Sequence, residues 1–272
     1  MPMDSFFSIA LVLRIAIPGL YFIAAIGYIT QFLQLSKSLS LWVKPIFYTG
    51  LVFHILLFAL LFLKRGILPL FTVFEGLLAC SLILSILYII TEYILSETCY
   101  GAFLQPVNSV ISLIASVYLF AGKPLPDSMT SPYFIFHVMV LAAAYACFFL
   151  SCSISIMYLL QYNEIKNRHL GYLFKRLPAL ENMDISIARI DALGLALLFI
   201  GIVIGFLWLD IESDNPYRMN LKVWFSVLTA AVYLFEYIFR VSKGWKGQRT
   251  AMISILGFII VVINMLIGRH GY

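Results

Sequence analysis

The chain has 272 residues, of which 62% are hydrophobic and only 11% are charged, and its mean hydropathy is +0.99. Soluble domains average roughly 45–50% apolar and about 25% charged residues, so this composition excludes a soluble globular domain and a disordered chain. The formal net charge of +5 is the kind of excess that membrane proteins carry in cytoplasmic loops, and it does not indicate nucleic-acid binding. The composition predicts a polytopic membrane protein.

Eight apolar runs are each long enough to cross a bilayer as a helix, which needs about 20 mostly apolar residues. The first run follows an N-terminus without positive charge and lacks a small-residue cleavage site, so we expect a retained helix and not a signal peptide. We predict an all-α bundle of about eight transmembrane helices that forms one integral membrane domain over residues 1–272. The predicted spans are 6–33, 45–63, 69–94, 100–121, 132–160, 188–209, 221–240 and 250–268.

Lysine and arginine residues are distributed unequally between the two sides that this topology creates. The connections 34–44, 161–187 and 241–249, with their flanks, hold eleven of them, and the other side holds six. Because cytoplasmic loops carry an excess of these residues, we expect both termini on the outer side. The long connection 161–187 mixes basic and apolar residues, which is typical of an interfacial amphipathic segment. A docking surface for a soluble partner is the alternative.

The sequence contains no recognisable catalytic or metal-binding motif. Its four cysteines lie in or beside apolar runs, without a C-x-x-C pair or a zinc spacing, so we interpret them as small helix residues. It has no glycine-rich phosphate loop, no G-x-S-x-G and no H-E-x-x-H. We therefore expect a protein that is not an enzyme.

Three of the four histidines are candidates for a site, because ionisable residues inside a membrane are costly and indicate function. His54 lies in the middle of the second span, where a structural hydrogen bond to another helix is the alternative. His137 lies near the outer end of the fifth span, and His270 lies at the outer end of the eighth. Two imidazoles from separate helices in an apolar site suit axial ligation of an iron porphyrin. His169, in a basic connection, is interpreted as an ordinary exposed residue.

Charged residues on the outer side have a structural and a functional interpretation. They can pair with heme propionates, or they can extend singly to lipid headgroups. The residues concerned are Lys64, Arg65, Lys222 and Arg269. Arg14 and Glu75 lie in the outer halves of two spans, and we expect them to form an ion pair. Contact of Arg14 with the edge of a heme is the alternative.

Two further groups of charges lie toward the inner ends of the spans. Glu236 and Arg240 are spaced i, i+4 on the seventh span, and this spacing predicts an ion pair. Arg189 and Asp191 lie near the predicted inner end of the sixth span, so we expect them to lie close to water.

Five stretches of the chain form an ordered set of motifs. Residues 136–146 contain the pattern HV…AYA. Residues 176–184 read RLPALENMD, which corresponds to the known motif RLPSLETLD. Residues 244–258 begin with GWKGQRTA, which corresponds to the known motif GWRGRRAA…GF. Phe74-Glu75 corresponds to a YES start of the third helix, and the end of the chain, RHGY, corresponds to HSYG. Taken in their order along the chain, these motifs resemble those of the cytochrome c assembly protein family of the CcsA/HemX type.

The resemblance implies an eight-helix membrane protein that binds heme b and assists cytochrome c biogenesis, heme transit or heme sensing in a bacterial cytoplasmic membrane. His137 and His270 are the implied outer axial pair, and His54 is the implied intramembrane histidine of the HemX-type branch. Together with them, the expected heme contacts are Trp208, Trp224, Arg269 and Arg14. The expected partners are heme, the bilayer, and either a membrane partner in cytochrome c assembly or a cytosolic enzyme of heme synthesis.

The stretch between the sixth and seventh spans departs from the synthetase branch of this family. That branch carries WGxYWxWDPKETW, whereas here Trp208 and Trp224 flank a stretch without the inner tryptophans and without Asp-Pro-Lys. This difference favours a HemX-like accessory role over ligation of heme to a cytochrome. Two alternatives stay open: a regulatory or structural subunit without heme, and a small-solute transporter in which Pro18-Gly19 and Pro106 break helices.

Overall fold

A computed structural model of the chain contains eight helices within the residues that it describes. The structure describes residues 3–34, 37–66, 68–70, 72–95, 97–119, 131–168, 171, 173–212 and 221–267. The helices are α1 (Met3–Gln34), α2 (Lys37–Arg65), α3 (Val73–Leu95), α4 (Cys99–Tyr118), α5 (Pro132–Lys166), α6 (Leu180–Glu212), α7 (Leu221–Lys243) and α8 (Gln248–Ile267). Each contains an apolar stretch long enough to cross a membrane, and these described ranges contain no strand. The predicted all-α membrane protein with eight spanning helices is confirmed.

The connection between α5 and α6 is shorter than the sequence predicted. α5 continues to Lys166 and α6 begins at Leu180, because helical hydrogen bonding continues into polar residues that a hydropathy pattern assigns to a loop. Between them, residues 173–176 form turns. The backbone N–H groups of Leu173 and Phe174 donate to the carboxylate of Glu164 at 3.3 and 2.8 Å. These described residues are held to the end of α5, and the interfacial position of the segment stays a prediction.

The chain divides into two compact units, Met1–Thr130 and Ser131–Tyr272. In the first unit, α1 packs against α2 and α4, and α3 packs mainly against α4. Its fully buried aromatic side chains include Tyr28, Phe47 and Tyr88, and the rings of Tyr28 and Phe47 meet that of Tyr88 edge-on at 5.5 and 5.3 Å. α1 continues through Pro18 and α4 through Pro106, so the helix breaks considered for a transporter are not formed.

The second unit has neighbouring helices that run in opposite directions. The start of α5 contacts the end of α6, the start of α6 contacts the end of α7, and α8 runs antiparallel to α5 and α7. At its centre the rings of Phe148 and Tyr233 stack at 3.8 Å. A Cβ atom at Gly194 would lie 2.6 Å from Phe148, and one at Gly257 would lie 2.7 Å from Tyr233. Glycine at these two positions therefore lets the helices approach closely.

This arrangement gives the second unit two ends. One end holds the start of α5 and the end of α6 and is called the histidine end, because His137 lies there. The opposite end holds the start of α6, the end of α7 and the start of α8, and it is called the charged end.

Candidate functional site

The imidazole of His137, near the start of α5, lies against the last third of α6. Its Nδ1 atom is 2.7 Å from the carbonyl oxygen of Gly201. A carbonyl oxygen only accepts, so Nδ1 carries the proton and donates it, while Nε2 keeps its lone pair. Proteins commonly hold a metal-binding histidine through this kind of hydrogen bond from its other nitrogen. His137 therefore presents an oriented, unprotonated nitrogen to a ligand.

Two glycines of α6 create the space beside His137. A Cβ atom at Gly205 would lie 2.5 Å from Cε1 and 2.8 Å from Nδ1 of His137. A Cβ atom at Gly201 would lie 2.5 Å from Cδ2 of Leu141, one helical turn further along α5. Real Cβ atoms do not make contacts this short, so both glycines are needed for α5 and α6 to approach as they do.

The two predicted tryptophans have different surroundings. The ring of Trp208 on α6 lies 5.0 Å from that of Phe134, and the Phe134 ring lies 6.5 Å from His137. Trp224 on α7 is 59% exposed. Aromatic side chains therefore continue from His137 to Trp208 at the histidine end, whereas Trp224 is open at the surface of the unit.

Two of the other predicted heme contacts, His270 and Arg269, lie outside the described residues, so the pairing of His137 with His270 stays a prediction. In the first unit, Arg14 donates to the carbonyl oxygen of Val117 at 3.3 Å. The buried carboxylate of Glu75 pairs with Arg65 across the short α2–α3 connection, a partner that the span boundaries did not indicate. Contact between Arg14 and Glu75 also stays a prediction.

His54 lies inside the first unit and is completely buried. Its Nδ1 atom is 3.1 Å from the hydroxyl group of Tyr21 on α1, so the hydrogen bond to another helix that the structural alternative predicted is present. Its Nε2 atom has no hydrogen-bond partner within 3.5 Å among the described residues. Leaving a buried polar atom unpaired costs roughly 1–3 kcal/mol, and the backbone of Leu78 on α3 is the polar group that approaches this imidazole besides Tyr21.

A chain of hydrogen bonds continues from Tyr21 across the first unit. Oγ of Ser85 lies 3.1 Å from the Tyr21 hydroxyl, and Nδ2 of Asn108 donates to Ser85 at 2.9 Å. Oγ of Ser81 donates to Oδ1 of Asn108 at 2.8 Å. Together with His54, these side chains join α1, α2, α3 and α4 through fully buried polar groups.

Sequence reasoning missed this polar chain, although a signal was present. Polar residues recur at helical spacing within the apolar fourth run, and the structure buries all of them on α4. They are Gln105, Asn108, Ser109, Ser112 and Ser116.

The charged end of the second unit contains a buried ion network. Arg240 binds Oδ2 of Asp184 through Nη1 at 3.0 Å and Oε1 of Glu236 through Nη2 at 3.3 Å. Oδ1 of Asp184 accepts from the backbone N–H of Gly247 at 2.8 Å and from Oγ1 of Thr250 at 3.3 Å. The predicted Glu236–Arg240 pair is confirmed. Asp184 is the partner that the sequence did not indicate, because it lies on a different helix.

Asp191 is 4% exposed, so the expectation that it lies close to water was wrong. The reason is the early start of α6 at Leu180, which moves Asp191 from the end of a helix into the bundle. Glu236 on α7, Ser151 on α5 and Ser254 on α8 surround its side chain. Arg189, in contrast, is exposed as expected.

An open cavity of about 970 Å³ lies at the charged end. Arg240 and Asp184 form part of its wall, so the ion network reaches this cavity. The other charged and aromatic residues that line it are Glu181, Arg189, Lys243, Lys246, Arg249, Tyr158, Tyr162 and Trp245. The cavity combines cationic and aromatic groups at the end opposite to His137.

Comparison with known proteins identifies the family. Residues 70–270 match the family described as Cytochrome C assembly protein. Protein HemX of Brevibacillus brevis is 25% identical over 249 residues, which cover 91% of each chain. The cytochrome c biogenesis protein CcsA of Trieres chinensis is 26% identical over 270 residues, or 85% of this chain and 86% of the relative. CcsA of Chlamydomonas reinhardtii is 27% identical over 205 residues, or 73% of this chain and 57% of the relative. Because the family match extends from just before α3 to beyond α8, the chain belongs to the cytochrome c assembly protein family.

Proposed function

We propose that this protein binds heme b at the histidine end of its second unit and serves cytochrome c biogenesis as a HemX-like accessory protein. The observation that carries this proposal is the hydrogen bond from Nδ1 of His137 to Gly201, which leaves Nε2 free in a member of the cytochrome c assembly family. The whole chain, with both units, serves this one role. The role is the binding and transfer of heme, and not catalysis.

The residues around His137 fit a heme. A neutral imidazole is a common axial ligand of heme iron, and the macrocycle needs a largely apolar surrounding. His137 would hold the iron through Nε2, the Gly201 carbonyl would keep the imidazole in one tautomer and orientation, and Phe134 and Trp208 supply aromatic surface nearby. Bound heme would supply an iron atom to which imidazole nitrogens bind. His270 is the proposed second ligand, with Arg269 near the propionates.

His54 is a further candidate ligand, located in the first unit. It is supported by its burial and by its Nε2 atom, which no hydrogen bond of 3.5 Å or shorter reaches among the described residues. Tyr21 would orient this imidazole from its other side, as Gly201 does for His137.

The charge distribution of the second unit supports an orientation in the membrane. Cytoplasmic segments carry an excess of Lys and Arg, so we place the charged end in the cytoplasm and the histidine end, with both termini, on the outer side. Relatives named HemX come from the bacteria Brevibacillus brevis and Bacillus subtilis, which supports a bacterial cytoplasmic membrane. The described cations at the charged end are Lys166, Arg168, Lys175, Arg176, Arg189, Arg240, Lys243, Lys246 and Arg249.

A regulatory or structural subunit without heme is the second candidate function. The loss of the inner tryptophans between Trp208 and Trp224 favours it. Such a subunit would contact a cytosolic enzyme of tetrapyrrole synthesis, or a partner assembly protein, through the cationic cavity at the charged end.

Absorption spectra of protein purified in detergent from heme-replete cells test the proposal. We expect a Soret band in the wild type and at least about a tenfold loss of bound heme in His137→Ala and in His270→Ala, since even outer-shell changes cost 10–100-fold in metal affinity. Added imidazole should restore part of the His137→Ala spectrum, and His169→Ala is the control that should retain heme. A colourless wild type would contradict heme binding and favour the subunit. An unchanged spectrum in both ligand variants would contradict the histidine end as the heme site.

A further inference from the structure

Two carboxylates meet inside the second unit, away from water. Asp191 on α6 and Glu236 on α7 are neighbours, and they are only 4% and 2% exposed. No hydrogen bond of 3.5 Å or shorter reaches either carboxylate oxygen of Asp191 or Oε2 of Glu236 within the described ranges. The donors that approach Asp191 are the hydroxyl groups of Ser151 and Ser254, and neither carries a positive charge.

The charges around this pair do not balance if every carboxylate is ionised. Arg240 is bonded to both Asp184 and Glu236, so one guanidinium group faces three carboxylates. Asp184 also accepts from the backbone N–H of Gly247 and from the hydroxyl group of Thr250, and these donors stabilise its negative charge. Arg240 then compensates one charge, and two negative charges remain on the cluster.

The remaining side chains near the pair cannot compensate these charges. From α5, α7 and α8, the neighbours of Asp191 are hydroxyl, phenol and thiol groups. They are Ser151, Cys147, Cys152, Tyr233 and Ser254. A bare charge inside a membrane protein is expensive, and two adjacent carboxylates away from water do not both ionise.

We propose that Asp191 and Glu236 form an intramembrane proton-binding site that holds one proton between an oxygen of Asp191 and Oε2 of Glu236. The proton comes from a hydronium ion of the solvent. One O–H bond of the hydronium ion breaks, one forms at a carboxylate oxygen, and a water molecule is released. This proton gives a donor to the carboxylate oxygens and reduces the uncompensated charge. The site does not depend on heme.

The structure also indicates where the proton exchanges with water. Asp191 lies seven residues beyond Asp184 on α6, which is about 10 Å further from the charged end at 1.5 Å per residue. Arg240 is bonded to Glu236 and also lines the open cavity. The carboxyl pair is therefore one side chain behind the cavity, and exchange occurs at the charged end.

Infrared spectroscopy of the full-length protein in detergent tests this site. At neutral pH we expect a carbonyl stretching band of a protonated carboxylic acid, which shifts in heavy water. Asp191→Asn should remove the band, because Glu236 then has no adjacent carboxylate and shares Arg240 only with Asp184, so it ionises. Asp191→Ser is a second variant with the same expected result, and Glu181→Gln, which changes an exposed carboxylate of the same helix, should retain the band.

Two outcomes would overturn the proposal. One is a wild type without this band at neutral pH, or a band that persists in both Asp191 variants. The other is a band that disappears when Na⁺ replaces choline, while Na⁺ raises the melting temperature of the wild type and not that of Asp191→Asn. This combination would assign the site to a metal cation. Neither result depends on whether the preparation contains heme, so the heme proposal is tested separately.

Discussion

At Gly205 of α6, the absence of a side chain determines where His137 can lie. A methyl group at this position would overlap the imidazole, since the Cβ atom would lie 2.5 Å from Cε1. We expect Gly205→Ala to move the ring away from the Gly201 carbonyl at a cost of about 1–3 kcal/mol. Because the displaced imidazole is the proposed ligand, this free energy should reduce the heme affinity by roughly tenfold or more. A heme titration of the purified protein measures this affinity.

Gly19 of α1 is the matched control for this substitution. It is also a glycine inside a spanning helix, but a Cβ atom there would meet nothing within 4 Å. Gly19→Ala should leave the heme affinity unchanged. Equal heme affinities for Gly205→Ala and the wild type would show that the position of His137 beside α6 is unimportant for binding.

At the scale of the helices, hydrogen bonds between buried polar groups connect neighbouring helices and fix their register, which apolar packing alone specifies weakly. Tyr21 links α1 to His54 on α2 and to Ser85 on α3. Within a bilayer both the folded and the unfolded states lack water, so these hydrogen bonds contribute to the choice of helix partner and register more than to total stability.

Tyr21→Phe removes a hydroxyl group that both His54 and Ser85 contact. We expect the variant to be about 1 kcal/mol less stable than the wild type, since interhelical hydrogen bonds in membranes are worth roughly 0.6–2 kcal/mol. Reversible unfolding in mixed micelles measures this free energy. Tyr48→Phe, at an exposed tyrosine of α2, is the control, and equal stability of the two variants would contradict a role for the polar chain.

The packing of the helices also explains why sequence analysis did not predict the contact between Asp191 and Glu236. Asp191, on its own, lies near the apparent end of an apolar run and looks accessible. Its burial depends on the length of α6 and on the approach of Glu236 from α7. The i, i+4 partner Arg240 was predictable because the geometry of one helix determines it, whereas Asp184 joins the same guanidinium from another helix.

At the scale of the whole molecule, the charged end of the second unit is expected in the cytoplasm. A cysteine at Lys246, an exposed residue of the charged end, should react with an impermeant maleimide only after the membrane is opened. A cysteine at Tyr133, an exposed residue at the histidine end, should react in intact cells. The native cysteines should react little with the maleimide, because Cys99, Cys147 and Cys152 are buried and Cys80 is half-buried. The labelling cysteines are best introduced into a variant in which all four native cysteines are replaced by serine. The reverse labelling pattern would place the histidine end inside.

Each unit of the molecule contains one described histidine, and the two imidazoles are oriented in different ways. In the first unit this is His54, oriented by a side-chain hydroxyl group. In the second it is His137, oriented by a backbone carbonyl group. The two settings differ because His54 is surrounded by a hydrogen-bonded interior, whereas His137 is half-buried near the end of its bundle.

The sequence by itself determined the all-α class, the number of spanning helices and the family, because apolar runs of bilayer length and an ordered set of motifs are local properties of the chain. It also indicated His54 and His137 as unusual, because an ionisable residue in an apolar run is costly. Only the tertiary structure decided which nitrogen of His137 is free, that Gly205 makes room for its ring, and that Asp191 meets Glu236. These features arise where side chains from distant parts of the chain come within a few ångströms, and no local pattern of residues specifies such contacts.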